Sequence, residues 1–362
     1  MSTTVFKYTI LLFLLPITLI AGNGTLKGKY KKEKTIKKEF NVAADALLKV
    51  KNRYGNLNIT SWNENRVVIE VHIKTSGNKE EKVQERLNEI TVNFENSNTL
   101  VDARTMFKKS SNRGWGWDRG KRNVSVQVNY TIKLPVKNSV HLSNDYGNIY
   151  LDRIDGHAKI NCDYGRLDIG ELRGRNNQLN FDYTSKSTID FIESGKITAD
   201  YSGFTIAKAG DLEINADYTN STVEEMENLD YTADYGKIVI GEANNVKGNG
   251  DYINVKLGII HGNVQASADY GSIRIDRMAS DAGNIDIRTD YTGIKIGYAS
   301  DYYFDFEIET EYAGVSGKDD FEVNISKVKS SEKYYKGYYG KANSGNRIFI
   351  NSEYGGISFF KN

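Results

Sequence analysis

The chain is short of almost everything that chemistry on a protein usually needs. One cysteine, Cys162, stands in 362 residues. It excludes an intramolecular disulfide, and its distance from the leader excludes a lipid-modified cysteine behind a signal. The four histidines, His72, His141, His157 and His261, are scattered and share no ligand spacing. There is no serine elbow, phosphate-cradling loop or HExxH pattern. Only two prolines occur, Pro16 and Pro135, so nothing interrupts long runs of strand. Charge of one sign is missing as well: of 48 basic residues Lys7 lies in the leader, leaving 47 against 47 acidic, which points away from a nucleic-acid partner.

The one apolar run, "YTILLFLLPITLIA", follows Lys7 and ends at Ala21-Gly22. It reads as a secretory signal over residues 1–22, too short for a confident membrane span. The expectation is an exported protein of the periplasm or cell surface of a bacterium, with no transmembrane span in the mature chain. An uncleaved anchor is the alternative.

What is present is a repeat. Tyrosines recur at 54, 146, 164, 183, 201, 218, 235, 252, 270, 291, 312 and 354. From Tyr146 to Tyr270 the intervals are 18, 19, 18, 17, 17, 17 and 18 residues, followed by two of 21. Apolar pairs precede each tyrosine by four and six residues (Leu212/Ile214, Ile285/Ile287) and follow it by three and five (Ile238/Ile240, Ile273/Ile275). This is the two-residue period of strands with one buried face. A unit of strand, tyrosine corner, strand and polar return cannot bury its own face, whereas stacked units bury a continuous core. The fold class is therefore all-β dominated: a β-solenoid, parallel β-helix-like, with coils of about 17–21 residues and an N-terminal α+β cap.

Position by position, the unit predicts roles. The tyrosine shares parity with the inward Ile and Val, so its ring should stack on those above and below and its hydroxyl should find a partner at the corner. The residue two before is small (Cys162, Ala199, Ala216, Ala233, Gly250, Ala268), with Phe181 the exception. Cys162 reads as an inert buried thiol. Gly follows the tyrosine in six of twelve cases but Ile253 does so once, so a positive φ is not expected at every rung.

The preceding residue is Asp at 145, 163, 182, 200, 217, 234, 251, 269 and 290, and Glu at 311 and 353. Stacked carboxylates repel by roughly 1 kcal/mol per pair even in a water-like dielectric. Backbone N–H donors at the corner, at about 1.5–3 kcal/mol per charged bond, offset that repulsion. The rival is a Ca²⁺ ladder through Asp145, Asp163, Asp182, Asp200, Asp217, Asp234, Asp251, Asp269 and Asp290. Otherwise no cofactor, metal or catalytic residue is expected. A ladder this uniform offers no rung whose environment pushes one pKa from its neighbour's.

Residues 23–140 read as the cap, with one helix at about 79–91 (Val83, Leu87 and Ile90 on one face) and a first repeat-like turn at 52–60; residues 141–362 read as the solenoid. Two stretches break the pattern. "FKKSSNRGWGWDRGKRN" at 107–123 places Trp115 and Trp117 among Arg113, Arg119 and lysines, suited to stacking on a sugar or meeting an anionic surface, or simply a solvated hairpin tip. A loop insertion at about 326–346 carries Tyr334, Tyr335, Tyr338 and Tyr339, candidate contacts to a glycan or a cell-surface protein, or ordinary decoration.

"KTIKKEFNVAADALLKVKNRYGNLNITSWNENRV", with "VNYTIKLPVKNSVHLSNDYGNIYL" and the closing "NRIFINSEYGGISF", resembles the bacterial adhesin domains of unknown function called the toastrack group. The resemblance covers nearly the whole mature chain and implies an exported β-solenoid of the cell envelope, with adhesion proposed and no established catalytic residues. A non-catalytic adhesin-like or structural module is the expectation. A periplasmic accessory of an envelope-stress regulatory system and a polysaccharide-active β-helix enzyme are the alternatives.

Overall fold

The structure, a computed structural model, describes residues 28–108 and 124–362. The chain opens with strand β1 (Tyr30–Asn41), then makes one coil of the stack: β2 (Leu47–Arg53), a corner at Tyr54, and β3 (Leu57–Trp62). It next leaves the stack. β4 (Arg66–Gly77), helix α1 (Glu80–Glu89), β5 (Ile90–Ser97), β6 (Leu100–Phe107) and β7 (Val124–Pro135) build the end of the rod. β6 lies parallel to β2 and β7 parallel to β3, so the coil at 47–62 is already inside the solenoid rather than part of a separate cap. Antiparallel neighbours finish each side, β5 on β6 and β1–β4 on β7. α1 lies mainly against β4 and β1 and buries Val83 and Leu87, with Ile90 buried at its C-terminal boundary, as the apolar spacing predicts.

The chain then returns beyond the first coil and climbs. β8 (Ser139–Asp145) pairs with β2, and β9 (Ile149–Ile154) with β3. β10 (Ala158–Asp163), β11 (Leu167–Leu172) and β12 (Asn177–Asp182) continue as separate short strands. From β13 (Ser187–Asp200) through β14 (Gly203–Asp217), β15 (Asn220–Asp234) and β16 (Gly236–Asp251) each strand runs unbroken from one tyrosine corner to the next. There the expected polar return is bent strand, not loop. β17 (Ile253–Ile260), β18 (Val264–Met278) and β19 (Ile285–Tyr298) complete the regular part.

Parallel register aligns equivalent residues into columns. Ile189, Ile206, Val223, Ile240, Leu257, Ile275 and Ile296 sit one above another, all buried. At about 1.5–3 kcal/mol for each such side chain taken from water, these columns are the main favourable term holding the coils together.

At the far end spatial order departs from chain order. β20 (Phe304–Glu311), β21 (Val315–Ser316), the antiparallel pair β22 (Glu322–Val328) and β23 (Glu332–Tyr339), then β24 (Arg347–Glu353) and β25 (Ile357–Lys361) follow in sequence. Yet β24 lies between β19 and β20, and β25 between β19 and β21. The last coil of the chain is thus the penultimate coil of the rod, paired on both edges and protected from fraying. About half of the predicted loop at 326–346 is strand: β23 pairs with β20 along its length, and β22 is an exposed edge.

Candidate functional site: the tyrosine strip

All twelve recurring tyrosines adopt a left-handed backbone, with φ between 49° and 67°. This corrects two expectations. The positive φ is demanded at every rung, and it falls on the tyrosine itself rather than on the residue after it. Because the chain turns there, the ring leaves the core side: from Tyr146 onward each is 46–58% exposed. Its backbone N–H stays in the ladder, donating to the carbonyl of the acidic residue one coil on, as from Tyr146 to Asp163 and from Tyr252 to Asp269 (2.9 and 2.8 Å). Glycine after the tyrosine serves close approach instead: at Gly147 a Cβ would lie 1.9 Å from the carbonyl oxygen of Gly55.

The expected stacking is present. In the order 54, 146, 164, 183, 201, 218, 235, 252, 270, 291, 354, 312 the rings form one file. Apart from the first pair, at 5.5 Å and 21°, neighbours lie 4.6–5.2 Å apart and within 7° of parallel. The expected hydroxyl partner is absent: no ladder hydroxyl hydrogen-bonds to another described residue. Burial against the stack, then the neighbouring phenols and carboxylates, pushes the hydroxyls of Tyr164, Tyr235 and Tyr270 up, so they remain protonated donors and acceptors.

Beside the rings runs the carboxylate row, Asp145 to Asp290 and then Glu353 and Glu311, in register from coil to coil. In the middle coils Oδ1 of Asp182, Asp200, Asp217 and Asp234 accepts the backbone N–H of the next acid at 3.2, 3.3, 3.3 and 2.7 Å. These are the corner donors expected to offset the repulsion. Burial and then the carboxylates of Asp182 and Asp145 raise the pKa of Asp163. Among the described residues only Asp145 of this row forms an ion pair, with Arg53 at 3.8 Å. Two troughs run alongside, one of about 740 Å³ walled by Tyr54, Tyr146 and Tyr164, the other of about 580 Å³ over Gly293, Gly314 and Gly356.

The other expected site residues are placed elsewhere. Arg113, Trp115, Trp117 and Arg119 lie outside the described residues. Tyr334, Tyr335, Tyr338 and Tyr339 stand on β23, not on a loop. Tyr339 is buried and donates to the carbonyl of Ser300 (3.0 Å), while the Tyr334 hydroxyl donates to Glu307 (3.2 Å). Cys162 is buried, and desolvation pushes its thiol up to about 12, the inert state expected.

The fold and strip define a β-solenoid carrying an aromatic file on one corner. Solved structures that resemble it carry adhesin names, the description the sequence itself suggests. They include a "putative cell adhesion protein" of Clostridium sporogenes (13% identity over 92% of this chain and 100% of that one, TM-score 0.20) and a "putative adhesin" of Parabacteroides merdae (10%, 90% and 96%, TM-score 0.32). The overlap is long and the superposition loose. No family model matches the chain, and no curated protein matches it in sequence.

Proposed function

We propose that the protein is an exported, non-catalytic adhesin-like module of the cell envelope whose binding surface is the tyrosine strip. The observation that carries this reading is that the strip costs backbone energy while leaving its rings half in solvent. A left-handed φ costs an ordinary residue about 1–2 kcal/mol, and glycine or asparagine would make the same corner more cheaply. Offset parallel stacking returns about 0.5–1.5 kcal/mol per pair beyond the area the rings bury, which is comparable to the backbone cost. Twelve corners nevertheless carry tyrosine where glycine or asparagine would make the same turn with less backbone cost. Strain kept at a surface position, together with an aromatic patch longer than single exposed residues produce, supports a binding role. Rigid tyrosines give contact area at low entropic cost, and a rod of stacked coils presents them on a stiff support.

The test is retention of labelled protein on bacterial envelope material. The variant Tyr218→Asn/Tyr235→Asn/Tyr252→Asn, which keeps the left-handed corner, should lose retention at least tenfold while its circular dichroism is unchanged. Equal retention by a folded variant would remove the strip from the account. Proteinase K on intact cells separates display outside from a periplasmic place, where an accessory role would replace adhesion to external partners.

A further inference from the structure

We infer that the strip's partner is an extended, arginine-rich peptide segment, a conclusion that rests on reading the strip as the binding surface. Each rung from Tyr146 on offers the same pair of groups to solvent: a phenol oxygen with no hydrogen bond among the described residues, and a carboxylate. Both accept hydrogen bonds, and the carboxylate can do nothing else. Ten of the eleven carboxylates, all but that of Asp145, form no ion pair among the described residues. The positions two before the acids from Asp145 to Asp269 hold only Ser, Asn or Thr, from Ser143 to Ser267, and bring no cation to the row; beyond them Arg288, two before Asp290, pairs with Asp286 instead (3.2 Å). Ring faces are occupied by one another, so a ligand meets edges and hydroxyls, and a neutral planar molecule finds no open face in mid-ladder.

The chain itself shows which group fits. At the first rung the acid is replaced by Arg53, and its guanidinium settles on both rows at once. Cζ lies 5.0 Å from the Tyr54 ring centre and 5.5 Å from that of Tyr146, with Nε 3.8 Å from Asp145. Guanidinium has five donors and no acceptor, which suits a row of carboxylates beside phenol oxygens that can accept, and it tolerates aromatic contact better than ammonium does. One Arg in place satisfies one rung; the rungs beyond repeat the seat without its occupant.

The partner's form follows from the row. Rungs follow one another about 4.8 Å apart, and an extended peptide repeats its same-side residues every ~6.7 Å, so five alternate arginines span about seven rungs. A compact cation would engage one or two rungs; an extended chain engages many at once.

The experiment measures fluorescence anisotropy of a labelled decapeptide of alternating Arg and Ser against the full chain, with the Lys-Ser and Glu-Ser peptides beside it. The Arg-Ser peptide should bind, Lys-Ser more weakly and Glu-Ser not at all, with affinity falling as salt rises. Asp200→Asn/Asp217→Asn/Asp234→Asn keeps the side-chain oxygen that accepts the backbone N–H, so the fold should persist, and it should weaken Arg-Ser binding at least tenfold. The triple tyrosine variant should weaken it as well. No binding to the wild type, unchanged binding to the triple Asp→Asn protein, or equal binding of Glu-Ser overturns the inference. If envelope retention depends on the tyrosines while Arg-Ser binding is absent, the strip remains a binding surface and the cationic partner is wrong.

Discussion

The molecule holds two aromatic assemblies, and they are opposites. The strip stacks its rings nearly parallel, half exposed, each on a left-handed corner. At the C-terminal end Tyr298, Phe304, Phe306, Phe321, Tyr339 and Phe359 close the rod as a plug. Their rings are buried and meet at varied angles, 85° for Tyr298 against Phe304, 84° for Phe304 against Phe321 and 30° for Phe304 against Tyr339. Edge-to-face packing at many angles fills a volume, whereas parallel rings at strand spacing make a surface. The lesson is that aromatic content by itself assigns no role; backbone and exposure do.

That contrast can be broken first at the plug. Phe304→Ala should remove about 3–5 kcal/mol of stability, read from denaturant unfolding, because a ring with no exposed surface leaves a cavity among rigid neighbours. A loss below ~1 kcal/mol would mean that the end of the rod collapses around the gap and is not a packed plug.

A buried tyrosine off the ladder sharpens the comparison. Tyr231 stands inside the sheet column with its hydroxyl buried and unpartnered, above Gly248, where a Cβ would come within 2.2 Å of the ring. Tyr231→Phe deletes an orphan polar group and should stabilise by about 1–2 kcal/mol. The melting temperature checks this, and a fall would show that the hydroxyl has a partner in solution.

The smallest effect lies away from the aromatics. His261 bridges adjacent coils, Nδ1 to Asp281 at 2.9 Å and Nε2 to Glu242 at 3.1 Å, and the bond to Asp281 is the main cause of its raised pKa. A raised folded pKa means that the contribution is full below the unfolded value of about 6.5 and is lost as pH rises through the folded one. His261→Gln should therefore melt below wild type at about pH 5.5 and converge with it above about pH 8. A gap independent of pH would assign the residue to packing.

Much of this was legible beforehand. The tyrosine period, the apolar columns, the acid row, the helix and the buried Cys162 are all local patterns that parallel stacking simply brings into register. What failed was the side-chain parity at the corner. Apolar positions fall at even offsets before each tyrosine and odd offsets after it, as Leu212 and Ile214 before Tyr218 and Ile238 and Ile240 after Tyr235 show. That break was the signal of a left-handed residue at the corner, where an uninterrupted strand would have pointed the ring inward. The order of the last coils was not legible, because 304–311 and 348–353 carry the same apolar alternation before an acid and a tyrosine, and the structure seats 348–353 between 285–290 and 305–311. Nor did Tyr339 declare its burial, since neighbours on a strand alternate faces whichever role they serve.

The central claim is that the ladder is a surface and not a structural requirement, and denaturant unfolding of Tyr218→Asn/Tyr235→Asn/Tyr252→Asn tests it most directly. Four stacked pairs are lost, about 2–6 kcal/mol, against relief of about 1 kcal/mol at each left-handed corner. The account predicts a net loss below about 3 kcal/mol with an unchanged m-value, smaller for three ladder residues than for the single substitution Phe304→Ala. A loss well beyond that of Phe304→Ala, or a broadened transition with altered m, would contradict it and make the tyrosines the framework of the rod.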